Sequence, residues 1–133
     1  MRITGRMAFL SMVAGSVLAI TNFISDPASA EDIIKIGTPL ALTGGLADEG
    51  KKQQIAYDMW LRRVNGGGGI NVGGKKMKVK LIAYDYQTDG KRAGQLTEKL
   101  ITSDKVNFVA APFGSGHTKI TAGVAERHGV PIV

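Results

Sequence analysis

The segment Gly114-Ser115-Gly116-His117-Thr118 sets two hydroxyls, an imidazole and flexible backbone side by side. The apolar run Val106–Ala111 precedes it, and Ile120 and Val124, four residues apart, follow it. That pattern places the segment where a buried strand hands over to a helix. The first amides of a helix have no partner inside it, and the aligned peptide dipoles leave that end positive. A small anion such as a carboxylate suits this position. Ser115 is equally a good helix cap, so both roles stand open on the residues alone. Phe113, just before, would either wall a ligand or complete the core.

Other chemistry fits less well. Ser115 lacks the G-x-S-x-G frame of a strand-to-helix nucleophile, and nothing in the sequence aims His117 at it as a base. His117 and His128 stand eleven residues apart with no third ligand in the pattern, so metal binding is not expected. Gly45-Leu46-Ala47-Asp48-Glu49-Gly50-Lys51 has the spacing of a phosphate loop up to its lysine. Lys52 then replaces the hydroxyl that would hold magnesium, while Asp48 and Glu49 would repel phosphate. The expectation is a non-enzymatic, cofactor-free protein that binds noncovalently. Asp85, flanked by Tyr84 and Tyr86, reads as the organiser of a turn.

The elements that must position these residues alternate in type. Ile33–Leu42 is apolar and partly β-branched and ends in Thr43-Gly44-Gly45, which predicts a buried strand and a glycine turn. Ile55, Met59, Trp60 and Val64 predict the buried face of a helix from about Gly50 to Asn65, stopped by the glycine run 66–69. Lys76–Leu81 alternates and continues through Tyr84 as a second strand. Asp85, Thr88, Asp89 and Gly90 supply turn and cap chemistry before a helix marked by Ala93, Leu96, Leu100 and Ile101. Val106–Ala111 predicts a third strand, Gly114–Gly116 opens a third helix that Gly129 ends, and Val130–Val133 starts a fourth strand. The order β-α-β-α-β-α-β with right-handed crossovers predicts an α/β fold, a doubly wound parallel sheet covered on both faces. A chain ending inside an apolar strand predicts an incomplete domain.

Residues 1–30 carry Arg2 and Arg6, an apolar stretch from Met7 to about Ile20, and Ala28-Ser29-Ala30 before Glu31. This is the layout of a cleavable secretory signal. The stretch is shorter than the roughly 20 apolar residues that span a bilayer. The sequence contains no cysteine, so neither a disulfide nor a lipidated cysteine forms. Removal of residues 1–30 takes away Arg2, Arg6 and Asp26 and changes the net charge from +6 to +5. The basic residues are scattered, as on solvated faces, and nucleic acid is not an expected partner.

The ordered series Ile34-Lys35-Ile36-Gly37, Leu42-Thr43-Gly44, Val64-Asn65 with its glycines, Val79-Lys80-Leu81, Asp85-Tyr86-Gln87-Thr88-Asp89, Leu100–Val106 and Gly129-Val130-Pro131-Ile132 resembles the start of a known family. That family is the periplasmic Leu/Ile/Val-binding proteins, the branched-chain amino-acid receptors of ABC importers, and the likeness covers residues 31–133. It implies two α/β lobes joined by a hinge, closing on a small molecule that a membrane permease then accepts. It also implies that Ser115 holds the ligand carboxylate, that Gly114 and Thr118 belong to the same loop and helix start, and that Glu49 lies in the first strand-to-helix loop near the ligand. On this reading residues 31–133 are the incomplete first lobe of a periplasmic solute receptor. An exported sensory or interaction fragment of the same fold, or an α/β hydrolase, are the alternatives.

Overall fold

The computed structural model describes residues 33–133; the expected secretory signal lies outside the described residues. The elements run β1 (Ile33–Leu40), α1 (Ala47–Gly66), β2 (Ile70–Val72), β3 (Lys75–Asp85), α2 (Gly90–Thr102), β4 (Phe108–Val109) and α3 (Ser115–Arg127). The sheet order is β2-β3-β1-β4. β1 is parallel to β3 along its whole length, from Ile33 opposite Lys78 to Leu40 opposite Asp85, and parallel to β4 through Ile36 and Gly37. Ile132 extends the same parallel arrangement through a bridge to Val109. The expected parallel α/β sheet is therefore present.

Two strands differ from expectation. β2 forms an antiparallel hairpin with the start of β3, Ile70 opposite Met77 and Val72 opposite Lys75. Its turn is Gly73-Gly74, both at positive φ, a short hairpin signal hidden behind the preceding glycine run. The third strand is shorter as a ladder than Val106–Ala111, yet its hydrogen bonds reach further. Asn107 N–H donates to Lys35 O at 2.9 Å, Ala110 N–H to Gly37 O at 2.8 Å and Ala111 N–H to Val133 O at 2.8 Å.

Strand alternation sends Ile82 and Tyr84 to one face and Leu81 to the other. On the first face α2 and α3 pack together, and Leu100, Ile101, Val106, Val109, Val124 and Ala125 form a buried cluster with Ile82 and Tyr84. Each large apolar side chain fully buried there contributes about 1.5–3 kcal/mol. A second cluster, Ala41, Tyr86 and Ala93 with Leu46 and Leu96 against it, lies toward the loops that leave β1 and β3.

α1 covers the opposite face, and here the expected burial is wrong. Ile55 and Met59 are 60% and 61% exposed and Trp60 is 39% exposed. The half-buried stripe runs instead through Gln53, Tyr57, Leu61 and Val64. Trp60 edges an open apolar hollow of about 310 Å³ with Ile36, Tyr57, Leu81, Ala110 and Val133. Only Gly50 of α1 is buried. A β-carbon there would collide with the Ala41 carbonyl, so glycine lets α1 start directly against the end of β1.

Candidate functional site

Parallel strands deliver their carboxyl ends, and the loops that follow, to one edge. Three loops meet there: residues 41–46 after β1, 86–89 after β3 and 110–114 after β4. Asp85 ties the first two together. Its Oδ1 accepts from the amides of Leu42 (3.0 Å), Thr43 (3.3 Å) and Gln87 (2.9 Å), and its Oδ2 accepts from the Thr43 hydroxyl at 2.7 Å. Burial pushes the Asp85 carboxyl upward, but these donors outweigh it and hold it below the ordinary carboxylate value. The expectation that Asp85 organises its turn is met.

Tyr86 ties the second loop to the third. Its ring is fully buried, its hydroxyl donates to the Phe113 carbonyl at 3.3 Å, and its centroid lies 5.0 Å from that of His117. Burial first, and the neighbouring Asp85 charge second, raise the Tyr86 phenol above its ordinary value, so it remains a neutral donor. Gln53 of α1 braces the third loop from the opposite face by donating to the Ala111 carbonyl at 2.9 Å.

α3 opens on this braced loop. Its cap position is Gly114 at φ 94°, and no side chain caps the helix. Ser115 is the first helical residue and is exposed, which rules out the helix-cap role. Among the described residues the amides of Ser115, Gly116 and His117 donate to no internal acceptor, and the first intrahelical bond is Thr118 N–H to Gly114 O at 3.0 Å. The first turn contains no acidic residue. The positive end of α3 is thus uncompensated and faces the edge where ligands sit in open α/β sheets.

The remaining expected residues divide. Phe113 is 45% exposed beside Ser115, so its ring is free to form a wall and does not complete the core. The Thr118 hydroxyl donates to the Pro112 carbonyl at 3.0 Å, which commits its proton to holding the loop. Glu49 does not lie in the first loop: α1 begins at Ala47, and Glu49 sits in its first turn, where it accepts from Lys52 Nζ at 2.8 Å. Helix geometry draws it there because an acid in the first turn complements the dipole of α1. His117 and His128 do not share a site: His117 stacks on Tyr86, while His128 Nε2 is 2.7 Å from Glu98 Oε1 between α3 and α2. A hollow of about 360 Å³ lies between α2 and α3, lined by Lys91, Gly94, Gln95, Glu98, Val124 and Arg127.

An open, mostly parallel α/β sheet with a helix N-terminus at its carboxyl edge is the architecture of proteins that bind small ligands between strand and helix. The family model for periplasmic binding proteins matches residues 33–133, and the chain belongs to that family. It is 29% identical over 118 residues to the leucine-, isoleucine-, valine-, threonine- and alanine-binding protein of Pseudomonas aeruginosa, covering 89% of this chain and 30% of that protein. Among solved structures it is similar to the branched-chain amino-acid transporter substrate-binding protein LivJ of Streptococcus pneumoniae in complex with isoleucine. That match has 31% identity and a TM-score of 0.68 and covers 75% of this chain and 28% of that one. It is also similar to a solute-binding protein of an ABC transporter from Rhodopseudomonas palustris in complex with 3,4-dihydroxybenzoic acid, with 33% identity and a TM-score of 0.60 over 77% of this chain and 26% of that one. The chain therefore spans less than a third of the length of these relatives.

Proposed function

We propose that residues 31–133 form the ligand-gripping part of the first lobe of a periplasmic solute receptor for an ABC importer. Its ligands are small carboxylates, foremost branched-chain amino acids. The observation that carries this reading is the start of α3, where, among the described residues, three amides and the Ser115 hydroxyl have no internal partner and the first turn holds no acid. Ser115 and those amides take the carboxylate, and Phe113 and the Gly114 backbone shape the adjoining wall. Thr118 acts indirectly by holding Pro112. Isoleucine and 3,4-dihydroxybenzoic acid, the ligands of two relatives, differ in almost everything except the carboxylate, which agrees with a shared anion grip.

Residues 1–30 serve as the secretory signal and a membrane permease receives the ligand. Small-molecule sites bury on the order of 70–90% of the ligand surface, and a second lobe supplies the opposing wall. Calorimetry with L-isoleucine tests this on the 133-residue chain and on a version extended through a second lobe. Clear binding by the long form and weak binding by the short one is expected. Tight one-to-one binding by the short form, or none by the long, overturns the reading.

A further inference from the structure

Two successive residues of the Tyr86–Asp89 turn, Gln87 at φ 57° and Thr88 at φ 60°, stand in the left-handed region. Asp89 N–H donates to the Tyr86 carbonyl at 2.9 Å and closes the turn. This is the mirror-image turn whose two central positions favour Asn and Gly. Neither central residue here is one of those, and a β-branched threonine at positive φ is strained.

What the strain secures is the position of one hydroxyl. Thr88 Oγ1 accepts from the Leu46 amide at 3.1 Å and donates to the Thr43 carbonyl at 3.1 Å. Gly44, at φ 84°, seats against the same turn: a β-carbon on it would lie 2.7 Å from both Gln87 O and Thr88 Oγ1. Leu46 is the residue before α1 and caps it with no side-chain bond. Its Cδ1 would lie 3.9 Å from a β-carbon on Gly114, so the first loop comes close to the third at the point where α3 opens.

We propose that Thr88 is a positioning residue of the ligand edge. Held by its left-handed turn, the hydroxyl sets the first loop and the start of α1 against the loop that carries Phe113 and Ser115, so a carboxylate meets a preset crevice. The inference rests on the carboxylate-gripping role of Ser115. A turn that only reversed the chain would be better served by Asn-Gly, which would relax the backbone and lose the hydroxyl.

The test compares Thr88→Gly, which relaxes the turn but removes the hydroxyl, with Thr88→Ser, which keeps the hydroxyl, and with Gly44→Ala, which wedges the loops apart. In the 133-residue chain, backbone amide NMR shifts of Phe113–His117 are read without ligand and thermal unfolding is followed, while L-isoleucine is titrated into the version extended through a second lobe. Thr88→Gly is expected to shift those amides and to weaken L-isoleucine binding about tenfold. Its unfolding midpoint stays within a few degrees because relief of strain offsets the lost bonds. Gly44→Ala moves the same amides, and Thr88→Ser restores the parent pattern and affinity. Unchanged Phe113–His117 shifts in both Thr88→Gly and Gly44→Ala overturn the proposal. Failure of the extended parent to bind L-isoleucine would remove the carboxylate reading instead, while the ligand-free shifts still decide the role of Thr88.

Discussion

The Thr43 hydroxyl donates to Asp85 Oδ2 at 2.7 Å, so the aspartate at the end of β3 closes the loop that leaves its neighbour β1. Two segments far apart in sequence are thereby fixed as one edge. Asp85→Asn keeps the shape but weakens the acceptors of three amides and a hydroxyl. It is expected to cost about 1–2 kcal/mol at neutral pH in a denaturant titration.

The same carboxylate gives the fold an acid-sensitive component. Asp85 is held below its ordinary value of 3.8, so the folded state binds this proton less readily than the unfolded state does. Its contribution is complete above that value and is lost as pH falls through the lower folded value. Thermal unfolding of parent and Asp85→Asn between about pH 7 and pH 2.5 is expected to show a gap that closes only at the acid end. A gap unchanged across that range would contradict the assignment.

Ser115→Ala separates ligand binding from helix capping. A capping serine lost to alanine costs about 1 kcal/mol of stability. Here the hydroxyl has no internal partner among the described residues, so the unfolding midpoint is expected to stay put. Affinity of the two-lobe form for L-isoleucine is expected to drop about tenfold, the effect of losing one hydrogen bond to a charged group.

The two faces of the sheet should respond differently to truncation. Leu100 is fully buried between the α2–α3 pair and the sheet, and Leu100→Ala is expected to cost about 2–5 kcal/mol. Trp60 is 39% exposed, and Trp60→Ala should fall below the 3–5 kcal/mol typical of a buried tryptophan, at about 1–2 kcal/mol. Urea titrations of the two variants measure the contrast directly.

Gly50→Ala tests the seam between α1 and β1. Helix propensity alone would make alanine better by about 1 kcal/mol. The Ala41 carbonyl occupies the place of the new methyl group, so the variant is expected to be destabilised by about 1–3 kcal/mol. Circular dichroism melts distinguish the two signs.

The order of strands and helices was legible because period and punctuation agreed. The alternation of Lys76–Leu81, the Asp89 cap and the Ala93, Leu100 and Ile101 stripe each named its element, and Asp89 does cap α2 by accepting from the Arg92 amide at 2.6 Å. The apolar pattern of α1 misled because Ile55, Met59 and Trp60 are large and evenly spaced, whereas the residues facing the sheet include the polar Gln53 and the half-polar Tyr57. β2 was hidden because three strand residues between two glycine runs are too short to show a period. At the candidate site, Ser115 at a strand-to-helix junction was readable from neighbouring types. The hooks that shape the edge were not: Asp85 to Leu42 and Thr88 to Leu46 join residues more than 40 positions apart, and Thr88 adopts a backbone angle its residue type disfavours.

The central place of β1 also bears on the order of assembly. The first strand of the described chain lies between β3 and β4, and its partners come from the middle and the end of the sequence. No local pairing can stabilise it early, so both of its edges wait until distant segments have been synthesised, and loop closure must precede any reward from the sheet. Such a topology makes the closing of the sheet a non-local step, later than the β2–β3 hairpin and the helices, which need only nearby residues.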